Sequence, residues 1–137
     1  MQHQVSTVTQ VYVCISCRTA GQPLEPRGER AGALLYASLR QHPGANDAAI
    51  RLVPVDCLSV CKRPCTVGYA APGKWTYVYG DMPDAGFADV ILAGAKLYAA
   101  APDGIIPWKQ RPDTLKKSVV ARIPPLPAAA MPMEPNS

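Results

Sequence analysis

Val8-Thr9-Gln10-Val11-Tyr12-Val13-Cys14, followed later in the chain by Ile50-Arg51-Leu52-Val53-Pro54-Val55-Asp56-Cys57, decides the fold. The first stretch alternates and is rich in β-branched residues, which predicts a strand running directly into Cys14. The second predicts another strand that runs directly into Cys57. Between them, Arg18 to Arg27 is a loop rich in Gly and Pro, and Gly28 to Gln41 reads as a helix. In that helix Ala31, Leu34, Leu35, Ser38 and Leu39 fall near one face, with Glu29, Arg30 and Arg40 elsewhere. His42, Pro43 and Gly44 end it. Strand, helix and strand over this length make a βαβ unit with parallel strands. Parallel strands end at the same edge of a sheet. Cys14 and Cys17 are therefore expected to converge with Cys57, Cys61 and Cys65, at the edge where α/β sheets commonly hold ligands.

Beyond the second cysteine group, Val67 to Ala71 and Trp75 to Tyr79 flank Pro72-Gly73-Lys74. Pro then Gly suits the two central positions of a type II turn, so a β-hairpin is expected. Asp84 to Ala101 reads as a helix that buries Phe87, Val90, Ile91 and Tyr98, with Asp84 or Asp81 as its cap. Gly94 shares that face and would let a neighbouring element pack closely. Pro102-Asp103-Gly104 breaks the helix. Asp103 to Pro125 is less regular, with a short helix near Asp113 to Ser118. The expected architecture is an α/β domain over residues 1–125: a βαβ unit, a hairpin and a C-terminal helix on a mixed sheet. A Pro-rich tail over 126–137 is expected to be disordered.

The chain of 137 residues suits one domain that can bury its own core, so the cysteines are not needed as staples. Nothing approaches the length of a membrane span, and the polar start from Met1 to Gln10 lacks the features of a secretory signal. A cytoplasmic location is therefore expected, where structural disulfides are uncommon. Five cysteines in such a chain point to metal or redox chemistry. The net charge is +4, the basic residues are spread along the chain with no Lys/Arg block of five or more, and aromatic residues are not interleaved with basic ones. Neither a nucleic-acid nor a membrane partner is expected; an acidic protein partner is the simpler reading of the charge. No P-loop, GxGxxG, GxSxG or HExxH motif is present, and capping accounts for Asp81, Asp84, Asp89 and Asp103. The chain reads as a carrier or binding protein, with no catalytic residue to name.

Three readings compete for the cysteines. Four thiolates suit either tetrahedral zinc or a [2Fe–2S] cluster. The CxxxC spacing of Cys57 and Cys61 is wider than a zinc knuckle and suits a larger cofactor. An oxidised cluster with four thiolates carries about −2, which Arg18, Lys62 and Arg63 would offset. Pro64 disfavours a helix through Cys61 to Cys65, leaving backbone N–H groups to point at sulfur, with Gly68 and the residues around Ser59 packed closely there. The third reading is a dithiol oxidoreductase using Cys14 and Cys17, which leaves the second group unexplained. Cys65 is a ligand or a spare thiol. His42 is expected at the helix dipole. Trp75, Trp108, Tyr77, Tyr79 and Tyr98 are expected in the core or half-buried, with Trp108 also a candidate for covering the metal or docking a partner.

Val11-Tyr-Val-Cys14-Ile-Ser-Cys17-Arg and Cys57-Leu-Ser-Val-Cys61 resemble the thioredoxin-like [2Fe–2S] ferredoxins over roughly residues 8 to 100. The resemblance implies a thioredoxin-like fold and cluster ligands at Cys14, Cys17, Cys57 and Cys61. Two features depart from that pattern: Cys14 and Cys17 are closer than the corresponding pair, and Cys65 is an extra thiol. The longer string Cys57-Leu-Ser-Val-Cys-Lys-Arg-Pro-Cys-Thr-Val is similar to a bacterial family described as predicted metal-binding, domain of unknown function 1636. Gly73-Lys-Trp-Thr-Tyr, Asp103-Gly-Ile-Ile-Pro-Trp and Ala121-Arg-Ile-Pro-Pro carry the same similarity. Members of that family occur near cobalamin-biosynthesis genes. The resemblance therefore implies a redox partner protein, with a place in cobalamin biosynthesis and a homodimer among the expectations.

Overall fold

The structure, a computed structural model, describes residues 8–16, 30–59, 63, 65–82 and 85–126. Strand β1, Thr9–Cys14, alternates as expected: Thr9, Val11 and Val13 are buried while Gln10 and Tyr12 are half-buried. Helix α1, Ala31–Gln41, crosses to strand β2, Ile50–Val55, which pairs with β1 in parallel from Thr9–Ile50 to Cys14–Val55. The chain then enters β3, Cys65–Ala70, and turns into β4, Thr76–Met82. Helix α2, Ala88–Ala100, short helix α3, Asp113–Lys117, and strand β5, Val119–Ile123, complete the fold. The sheet order is β2-β1-β3-β4-β5, and every pairing except β1–β2 is antiparallel.

The hairpin turn forms as the sequence dictates. Gly73 takes a φ of +75° after Pro72, and the Lys74 N–H closes the turn on the Ala71 carbonyl at 3.2 Å. Opposite the turn, β4 bulges. Val67 pairs with Tyr79 but Cys65 pairs with Met82, so β4 spends an extra residue at Gly80-Asp81. Asp81 carries the bulge with a φ of +59° and donates its N–H to the Arg63 carbonyl. The bulge returns Met82 to the buried side, opposite Cys65.

The core lies between the Val11, Val13, Val67, Tyr69, Tyr77 and Tyr79 side of the sheet and the buried faces of α1, α2 and α3. Leu35 and Leu39 come from α1, Ile91, Leu92, Ala95 and Tyr98 from α2, and Leu115 from α3. Buried tyrosines need a partner for each hydroxyl. Tyr69 donates to the Ile91 carbonyl and Tyr98 to the Trp75 carbonyl, each at 2.5 Å. Gly94 makes room for this arrangement. A Cβ there would sit 2.6 Å from the Tyr69 hydroxyl and collide with Leu115. Lys74 lies buried at the other end of α2, where its ammonium donates to the Tyr98 and Ala99 carbonyls at the helix C-terminus.

Several expectations change. Helix α1 begins at Ala31, and Leu34 is exposed, because the buried stripe runs through Gly32, Leu35 and Leu39. The regular part of α2 begins at Ala88 after a 3₁₀ turn at Ala85–Phe87. Asp81 does not cap it, being held in β4 by Arg63, and Asp84 lies outside the described residues. Asp89 occupies its first turn instead. The short helix at Asp113 forms as expected, but β5 was not anticipated: it is a brief edge strand closed by Pro124-Pro125. Residues 127–137 of the Pro-rich tail lie outside the described residues.

Candidate metal centre

The site grows from the ends of β1 and β2. Because the strands are parallel and in register from Cys14 to Val55, Cys57 comes just past the same sheet edge at which Cys14 ends β1. The Ile15 N–H continues the ladder onto the Val55 carbonyl at 2.9 Å. Ser16 then ties the two strand ends together, its hydroxyl donating to the Asp56 carbonyl. The Cys14 sulfur lies 3.9 Å from that same carbonyl and 3.8 Å from the Ser16 hydroxyl, and Cys14 is only 3% exposed. Arg30, at the start of α1, reaches the Ser16 carbonyl at 3.5 Å.

Cys57 is exposed. Ser59 turns back on it with a φ of +61°, a left-handed conformation uncommon for a residue with a Cβ. The turn brings the Ser59 N–H to 3.2 Å from the Cys57 sulfur and its hydroxyl to 3.9 Å. The Ser59 N–H is thereby aimed at the sulfur that would ligate a metal. The sequence places Ser59 near the ligands and does not single out Ser16. The sequence does carry a shared signal: Cys14-Ile15-Ser16 and Cys57-Leu58-Ser59 place a serine at the same offset after each strand-ending cysteine.

Cys65 reaches the same edge from β3, which runs antiparallel to β1. By strand alternation it shares the core-facing side with Val67 and Tyr69, and it is 0% exposed opposite Met82. Cys17, Cys61, Arg18 and Lys62 lie outside the described residues. Among the described residues, no three of His, Cys, Asp and Glu come together as a metal-binding group. The described cysteines are Cys14, Cys57 and Cys65, of which Cys14 and Cys57 stand at the ends of adjacent parallel strands, and thiolate sulfur is the donor chemistry that soft metals and iron–sulfur clusters require.

Other candidates lie elsewhere. Arg63 is engaged by Asp81, with N–O distances of 2.8 and 2.7 Å, and by the Val119 carbonyl at 3.5 Å, so it anchors the bulge. Gly68 is in mid-strand under Tyr12, where a Cβ would meet the Tyr77 carbonyl at 3.4 Å, and it does not pack at the cysteines. His42 accepts the Gly44 N–H on Nδ1 and meets Asp89 at 2.5 Å through Nε2, joining the end of α1 to the first turn of α2. Trp108 stands exposed beside Arg111 and Lys116 on a 3₁₀ turn, Trp108–Gln110. Among the described residues no helix is long and apolar enough to cross a membrane.

The fold is similar to that of a thioredoxin-like [2Fe–2S] ferredoxin from Aquifex aeolicus, with a TM-score of 0.54 and 15% sequence identity, over 84% of this chain and 92% of that one. At this identity the likeness is one of fold: a thioredoxin-like α/β domain on a mixed sheet. A comparison with curated proteins finds no match. A family model described as "Protein of unknown function (DUF1636)" matches residues 11–125, and the chain belongs to that family.

Proposed function

We propose that this protein binds a [2Fe–2S] cluster on Cys14, Cys17, Cys57 and Cys61 and serves as a cytoplasmic one-electron carrier or cluster-bearing accessory protein. The observation that carries the reading is the juxtaposition of Cys14 and Cys57 at the ends of two adjacent parallel strands, with the Ser59 N–H directed at the Cys57 sulfur. Such a cluster would supply reversible storage of one electron. The chain's own residues do the rest. Ser16 fixes the spacing of the two strand ends by bridging to Asp56. Ser59 directs its N–H at the Cys57 sulfur and holds the turn around it. Exposure at Cys57 keeps one side of the site open to a partner, while burial of Cys14 shields the other.

The dithiol reading is weaker on the same geometry, because an attacking thiol needs access and Cys14 has almost none. Zinc shares the donor chemistry and is separated by composition. The test is the visible spectrum of anaerobically purified protein, with iron, zinc and acid-labile sulfide measured on one sample. Brown protein with about two irons and about two sulfides per chain is expected. Colourless protein with about one zinc would replace the cluster by a zinc site.

A further inference from the structure

The basic residues are spread along the chain, but their excess over acidic ones falls in one stretch. Between Trp108 and Arg122 lie Lys109, Arg111, Lys116, Lys117 and Arg122 against the single acid Asp113, so this stretch carries a charge equal to the whole net +4 of the chain. Trp108 stands among these residues at 58% exposure. Arg111 and Lys116 lie 5.3 and 5.2 Å from its ring centroid, and Lys109, Lys117 and Arg122 are exposed. An exposed tryptophan inside a basic field has the composition of an interface hot spot.

The fold brings one end of this surface, at Lys116 and Lys117, toward the cysteine edge, while Arg111 and Arg122 lie beside Tyr77, nearer the hairpin end of β4. Strand β4 ends at that edge with Met82 opposite Cys65, and β5 starts back from it with Val119 opposite Tyr79. Lys116 and Lys117 immediately precede β5. We propose that the surface from Trp108 to Arg122 is a docking site for an acidic protein partner that places an apolar or aromatic side chain against Trp108. Opposite charge would steer the approach and set the orientation, and Trp108 would supply the buried anchor. A protein fits better than a nucleic acid. Trp108 is the one exposed aromatic of the stretch, whereas single-strand binders present several ring faces for successive bases. The inference rests on the proposed carrier role only for why a partner would dock on a surface that reaches toward the cysteine edge.

The test is a binding titration of the full-length protein as purified, at low salt. The probes are poly-glutamate, the random copolymer poly(Glu,Tyr), oligo(dT) and phosphatidylserine vesicles. The copolymer is expected to bind tightest. Trp108→Ala should cost about tenfold in its affinity and bring it level with poly-glutamate. The triple charge reversal K109E/K116E/K117E, and the milder K109Q/K116Q/K117Q, should abolish binding to both polypeptides, with circular dichroism unchanged. The control R40E/R51E, which alters α1 and the opposite edge strand β2, should change affinity less than about twofold. Equal loss in the control, no effect of Trp108→Ala, or tighter binding to oligo(dT) or to vesicles would each overturn the proposal. The titration reads no metal, so its failure leaves the iron and sulfide result standing.

Discussion

Cys57 and Cys65 come to the same sheet edge and meet opposite surroundings. Cys57 is exposed and its sulfur accepts an N–H from a residue bent into a left-handed turn. Cys65 is wholly buried, facing a core of valine, methionine and tyrosine. The difference comes from strand direction and pleat. β2 has already ended when the chain reaches Cys57, so the backbone is released to turn around the sulfur. β3 begins at Cys65, so its side chain is committed to one face of the sheet from the first residue. A cysteine spacing in the sequence thus does not state the surroundings of each sulfur, which the strand ends and the pleat assign.

This contrast can be broken from the core side, where the largest effect is expected in alkali. Burial raises the pKa of Tyr69 and Tyr79 well above the ordinary phenol value of 10 and that of Tyr98 to about 12. Groups whose folded pKa is raised contribute stability that is complete below the unfolded value and is lost as pH climbs toward the folded one. Denaturation midpoints should therefore fall steeply above about pH 10. Lys74 is lowered by burial and works in the opposite direction, but only up to its ordinary value of 10.5. Midpoints that stay flat between about pH 10 and 12 would contradict the tyrosine core.

Gly94→Leu should come next. It forces a side chain into Tyr69 and Leu115 and is expected to cost about 3 kcal/mol in urea unfolding. Metal content per folded chain should not change. Cys65→Ser puts a hydroxyl in the core and should cost about 1–3 kcal/mol, again without loss of metal. Smallest of the four is Ser59. Ser59→Gly keeps the N–H and accepts the positive φ, so it should leave metal content intact, whereas Ser59→Val strains the same turn by about 1–2 kcal/mol. Equal stability of the two variants would mean the turn is not held.

Much of the fold was legible because its signals are local. Alternation at Val8 to Val13, the Pro72-Gly73 turn and Gly94 on a helix face each state their own geometry. The βαβ rule then carried the parallel pairing of β1 with β2 without further information. Strand β5 was not legible: Val119 to Ile123 has no clean alternation, and it becomes a strand only because β4 offers an open edge. The bulge at Asp81 was hidden for a similar reason, since it depends on Arg63 arriving from another segment. At the site, the convergence of Cys14 with Cys57 followed from topology, but the burial of Cys65 did not, because it needed the pleat of β3 and the opposing Met82. The pairing of Arg63 with Asp81 is not legible for the same reason, since sequence adjacency to cysteine suggests only charge compensation there.

The most direct measurement is iron, acid-labile sulfide and visible absorbance in three anaerobically purified variants, Cys14→Ser, Cys57→Ser and Cys65→Ala. The account predicts that the first two lose most of the chromophore and that Cys65→Ala keeps about two irons and about two sulfides per chain. Full cluster content in Cys57→Ser, or its loss in a folded Cys65→Ala protein, would contradict it.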